Sequence, residues 1–141
     1  MPEKKLRVIF DTNLWISFLI NNYLSPLDDL LKRAEVEIAL SDQLISEFLD
    51  VSKRQKFKPL FDPALTLTLL TQVTKYSIFI EVTSNVNICR DAKDNFLLEL
   101  SQDSSAEYLI TGDKDLLELK RFRRTRIITF TEFLKIMNES S

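Results

Sequence analysis

The chain has 141 residues, 45% hydrophobic and 28% charged, and its net charge of −2 conceals two basic runs, "KRQKFK" (53–58) and "KRFRRTR" (120–126). The absence of histidine excludes imidazole-based nucleophile triads, histidine acid–base catalysis and histidine zinc sites, and a single glycine, Gly112, excludes P-loop and dinucleotide-binding turns. One cysteine, Cys89, forms no intrachain disulfide, and "LWISFLI" (14–20) is too short to span a bilayer and lacks a cleavage pattern, so a cytoplasmic protein without membrane contact is expected.

In chain order, "LRVIF" (6–10) reads as a buried strand that stops at "DTN", and "LWISFLI" continues as an apolar helix. "SPLDDLLKRA" (25–34) is a second helix, opened by a serine with proline behind it. "VEIAL" (36–40) is a strand, and "SDQLISEFLDVSKR" (41–54) a helix with apolar positions 44, 45, 48 and 49. A basic loop and a Thr/Leu helix from Asp62 to about Tyr76 lead to a third strand, "SIFIEV" (77–82). The remainder alternates: a helix over 92–102, a strand at "YLITG" (108–112), a short helix at "KDLLEL" (114–119), a fifth strand at "RIITF" (126–130) and a closing helix, "TEFLKIMNE". Strands alternating with helices, with continuous apolar strand runs, predict one three-layer α/β/α domain over 1–141 around a central, mainly parallel sheet of about five strands. Periodicity leaves the strand order open.

In open parallel sheets, ligands sit beyond the carboxyl ends of the strands. Strand one ends in Asp11, strand four ends in Thr111-Gly112-Asp113, and the loop after strand three carries "RDAKDN" with Asp94 at a helix start. Each aspartate alone is a good N-cap. Ser, Thr and Asn cap about as well, so capping does not select three aspartates at one edge. Gathered carboxylates repel unless some are protonated or a cation compensates them, and Mg2+ or Mn2+ takes such oxygen ligands. Gly112, just before Asp113, reads as the turn that presents that acid. On helical geometry alone Glu47 is a solvated residue flanking an apolar stripe.

"VIFDTNLWIS", "LISEFLDV", "RDAKDNFLLELS" and "AEYLITGDKDLL", in that order, resemble the PIN-domain nucleases over residues 7 to about 135, with the nearest likeness to toxin components of toxin–antitoxin pairs. The resemblance implies a PIN-like fold and metal-coordinating acids at Asp11, Glu47, Asp94 and Asp113. Asp115 matches an additional acid of some members, and Asn13 and Thr111 match polar neighbours of the site. Asp91 lies outside the quartet. The implied activity is hydrolysis of RNA phosphodiester bonds with one or two Mg2+ or Mn2+ ions, and the implied partners are a small antitoxin and a second copy of the chain.

Around these acids, Lys53, Arg54, Lys56 and Lys58, with Arg90, Lys93 and Lys114, are candidates for RNA phosphates, and Phe57 for stacking on a base. A solvated charged surface explains the same runs equally well. Two other functions compete. A PIN-like module could bind RNA or protein without cleaving. A haloacid-dehalogenase-like phosphatase would use Asp11 as nucleophile, but its second acid falls at Asn13.

Overall fold

Leu6–Phe10 form strand β1, and its last three residues, Val8, Ile9 and Phe10, are fully buried. Burial on both faces is the condition under which an uninterrupted apolar run becomes a central parallel strand. The computed structural model describes residues 5–20, 36–54, 71, 74–89 and 91–139. After β1 come α1 (Thr12–Ile20), β2 (Val36–Leu40), α2 (Asp42–Ser52), β3 (Ser77–Phe79), a 3₁₀ turn (Ala92–Asp94) and α3 (Asn95–Ser104). Then follow β4 (Tyr108–Ile110), α4 (Lys114–Leu119), β5 (Arg121–Phe122), β6 (Thr125–Ile128) and α5 (Phe130–Glu139). The expected helix over 25–34 lies outside the described residues, as does that from 62 to about 76 apart from its end.

The strands form one six-stranded sheet of order β3-β2-β1-β4-β6-β5. All neighbours are parallel except β5 and β6. The chain builds outward from β1 through β2 to β3, then returns to lay β4 against the other side of β1. That reversal makes the carboxyl ends of β1 and β4 the switch point where a crevice opens.

Helices flank the sheet. Phe10 packs edge-on against Trp15 and Phe18 of α1 and against Phe130 and Phe133 of α5, with ring centroids 5.3 to 6.3 Å apart. This geometry adds quadrupole attraction to apolar burial. Helix α3 packs along β1, β2 and β4 through a buried set that includes Phe96, Leu97, Leu98 and Leu100.

Three expectations need correction. The sheet has six strands rather than about five, because Arg121–Phe122 pairs antiparallel with β6; two residues within a run of arginines carry no strand pattern. The third strand ends at Phe79 rather than at residue 82. Beyond it the backbone turns to α3: Thr83 and Ser84 amides donate to Asp103 Oδ2 at 2.6 and 3.0 Å, Val86 to Glu99 Oε2 at 3.0 Å, and Cys89 to Asn95 Oδ1 at 3.0 Å. Finally, the helix expected over 92–102 starts as a 3₁₀ turn, because the Asp91 side chain accepts from the Lys93 amide and its carbonyl from the Asp94 amide.

Candidate active site

Thr111 joins the ends of the two central strands. Its amide extends the β4–β6 ladder to Ile128 at 2.9 Å, and the Asp11 amide reaches Ile110 at 3.0 Å. Both residues are therefore fixed by the sheet itself. From this position the Thr111 hydroxyl donates to Asp11 Oδ2 at 2.6 Å and accepts the Asp113 amide at 3.0 Å. One buried hydroxyl thus sets the orientation of two acids, the support expected of a neighbour of the site.

Capping accounts for the three aspartates unequally. Asp113 is a true N-cap of α4, accepting the Asp115 amide at 2.8 Å and the Leu116 amide at 3.4 Å on Oδ1. Asp11 offers Oδ1 to the Asn13 amide at only 3.4 Å, a weak bond beside its contact with Thr111. Asp94 occupies the N-cap position of α3 without any side-chain capping bond. Its carboxyl hydrogen-bonds that of Asp113 instead. Two carboxyls can share such a bond only with a proton between them.

The electrostatics follow from this crowding. Asp94 is pushed up to about 6 by burial, then by the charges of Asp113, Asp11 and Asp91. Burial also raises Asp11, with a contribution from Asp113, against the lowering bond from Thr111. Three carboxylates from three separate parts of the sequence therefore sense one another at the switch point. Asp91, outside the expected quartet, acts on Asp94 from the cap of the 3₁₀ turn.

The remaining candidates are spread more widely. Glu47 sits half-buried on α2, flanking the buried stripe Leu44, Phe48 and Val51. It is not among the charges that raise Asp11 or Asp94. Asp115 is half-buried on the first turn of α4, and Asn13 is exposed on α1. Lys93 and Lys114 are exposed beside the acids. Lys53 and Arg54 are exposed at the far end of α2, ~16 Å along its axis from the carboxyl edge. Lys56, Phe57, Lys58 and Arg90 lie outside the described residues. Gly112 is exposed with a negative φ, and a Cβ there would meet nothing within 4 Å, so the turn does not require glycine.

Beside the acids opens a pocket of about 450 Å³ lined by Ile88, Cys89, Asp94, Asp115, Leu116, Glu118 and Leu119. Ile88 and Leu119, 55% and 37% exposed, form an apolar lip that the sequence did not single out; its one signal is adjacency to "RDAKD" and "GDKD". Burial, then Asp94, Asp113 and Asp91, push the Cys89 thiol up to about 11. It is therefore a protonated thiol and no nucleophile.

Among the described residues, no three acid or thiol groups are already gathered into a set that could hold a metal ion. The donor chemistry nevertheless fits a hard divalent ion: the converging groups are carboxylate oxygens whose mutual repulsion a cation relieves.

Residues 7–115 match the family described as PIN domain. An uncharacterized protein of Methanocaldococcus jannaschii, MJ1680, is 34% identical over 124 residues, covering 85% of this chain and 79% of that protein. No solved structure matches the chain.

Proposed function

The chain belongs to the PIN-domain family, and from that premise we propose that it is a Mg2+- or Mn2+-dependent ribonuclease. Asp11, Asp94 and Asp113 form the core of its site, with Glu47 as the fourth acid. The observation that carries this reading is the charge conflict at the switch point, where burial and neighbouring acids push Asp94 up to about 6. PIN domains are typically metal-dependent nucleases, and a chain without histidine or an ionised thiol has carboxylates for this chemistry. One or two ions would be held by Asp11, Asp94 and Asp113, with Glu47 and Asp115 assisting. When bound, such an ion supplies Lewis-acid stabilisation of the phosphoryl oxygens and an acidified water for in-line attack.

The chain's own groups prepare that chemistry. The Thr111 hydroxyl holds Asp11 Oδ2, and the α4 amides hold Asp113 Oδ1, so neither carboxyl rotates freely. Asp94 retains the proton it shares with Asp113 and yields it as positive charge arrives. Lys93 and Lys114, exposed beside the acids, are suited to neighbouring phosphates.

The motif resemblance extends the proposal to the toxin of a toxin–antitoxin pair, with a small antitoxin as partner and a homodimer as its assembly. Growth arrest on expression, relieved by a small protein from a neighbouring gene, is the expected outcome. To test the activity, RNA and a small phosphomonoester are incubated with the purified chain and Mn2+. The ribonuclease cuts RNA, loses activity in EDTA and in Asp11→Asn, and releases no phosphate from the monoester. RNA binding without cleavage in either metal would instead identify a silent binding module.

A further inference from the structure

The run "KRFRRTR" becomes the β5–β6 hairpin, and the acidic centre does not use it. Lys120, Arg121, Arg123, Arg124 and Arg126 are all exposed, so five of the chain's 19 cations fall within seven residues. Among the described residues none of the five forms an ion pair with a carboxylate. Arg121 and Arg126 stand directly opposite each other across the two strands. Like charges so paired are destabilising, and an anion between them removes the repulsion. Lys120 and Arg123 adopt φ values of 61° and 53°, in the region where glycine or asparagine is usual. The hairpin therefore keeps cations at positions where charge repulsion and backbone strain both argue against them.

The path from the acids to this hairpin is continuous. Helix α4 starts at Asp113, lines the pocket beside Asp94 with Leu116, Glu118 and Leu119, and delivers Lys120 to the sheet edge. Paired against β6, the hairpin then runs away from the carboxyl edge, so that Arg124 borders a second pocket with Lys5 and Arg7 at the opposite end. Four residues of β6 span ~13 Å, the reach of a few nucleotides. Arg126 lies with its guanidinium 6.0 Å from the centre of the Tyr108 ring, and Arg123 lies 5.7 Å from that of Phe122. Stacked guanidinium planes leave their edges available for bidentate phosphate contacts.

We propose that the Lys120–Arg126 hairpin is a second RNA-binding site, gripping the phosphate backbone of a single strand that leaves the carboxylate site along α4, with Arg121 and Arg126 clasping one phosphate. This rests on the ribonuclease reading for its ligand but has its own test. Charged side chains also guard sheet edges against pairing with other chains, and the experiment separates the two roles.

Binding of a labelled, ~20-nucleotide single-stranded RNA is measured in EDTA, where the acids only repel it, over a range of salt. The double variant Arg121→Gln/Arg126→Gln should weaken binding at least tenfold and lower the slope of log affinity against log salt by about 1.4, at about 0.7 per lost phosphate contact. Arg123→Gln/Arg124→Gln should act in the same direction. With Mn2+ the ratio of kcat/KM for that RNA to kcat/KM for a tetranucleotide should fall at least tenfold. The melting temperature of Arg121→Gln/Arg126→Gln should not fall, because a repulsive pair is removed. Unchanged affinity and salt slope in both variants would overturn the proposal, whether the hairpin then proves to guard the edge (aggregation of the variants) or to bind an acidic protein (loss of polyglutamate binding). If the wild type shows no metal-dependent cleavage yet loses RNA binding in these variants, the hairpin site stands and the nuclease reading falls.

Discussion

At the level of single residues, Asp94 is the most informative acid. In the sequence it is indistinguishable from a helix cap; in the structure it makes no capping bond and meets Asp113. Its raised pKa sets a sign. Proton binding by the folded protein contributes stability that is complete below the unfolded value near ~3.9 and is lost as pH rises through about 6. Asp94→Asn should therefore raise the melting temperature of the metal-free protein at pH 7 to 8 and leave it unchanged near pH 4. Because Asp94 is only half-buried, solvent screening limits the gain to ~1 kcal/mol or less, about 2–4 °C. Added Mn2+ should stabilise the wild type more than the variant; a variant no more stable than wild type at pH 8 would contradict the crowding. Gly112 gives a second prediction. With a negative φ and open space where a Cβ would go, Gly112→Ala should stabilise the fold by about 0.4–1 kcal/mol, measured by urea unfolding. If cleavage falls while stability rises, the space beside Asp113 is used by substrate. The sequence marked this glycine as a required turn because glycine's freedom is visible in a sequence and its φ is not.

Among the elements, α3 works as a rack for the strand that leads to the site. Asn95, Glu99 and Asp103, spaced by four along one helix face, accept the amides of Cys89, Val86, Thr83 and Ser84. The strap so held ends at Cys89, on the wall of the pocket beside Asp94. Asp103 lies below the usual carboxylate range because of its backbone bonds from Ser84 and then Thr83. A depressed pKa contributes stability that is present above the unfolded value and lost as pH falls through the folded one. Asp103→Ala should thus destabilise at neutral pH by ~1 kcal/mol or less, given its exposure, with the difference closing below pH ~4. Equal destabilisation at all pH values would point to packing instead. These acids looked like ordinary surface residues because their partners lie 6 to 20 positions away in sequence. For the same reason β5 was illegible, since a two-residue strand is defined by its partner and not by its own pattern. By contrast, β1, β2 and α4 were readable within a residue or two, because continuous apolar runs and an aspartate cap are local signals.

For the molecule as a whole, the strand order does what no motif can: it places the ends of β1 and β4 side by side, so acids 102 positions apart, Asp11 and Asp113, share one threonine. The sequence supplied these acids and their edge of the sheet; only pairing supplied their neighbours. The same topology carries the basic hairpin down the β6 edge away from the acids, rather than around them as a rim. Glu47 marks the boundary of what local pattern supplies, since its place on the helix is legible and its approach to the acids is not. An account in which one carboxylate cluster holds a divalent ion and cuts RNA is tested most directly by the cleavage rate of a labelled single-stranded RNA as Mn2+ is titrated. The measurement compares the wild type with Asp11→Asn, Asp94→Asn and Asp113→Asn. The predicted result is a rate that saturates with Mn2+, vanishes in EDTA and falls at least ~100-fold in each variant while each remains folded. A rate indifferent to EDTA, or unchanged in all three variants, would contradict it.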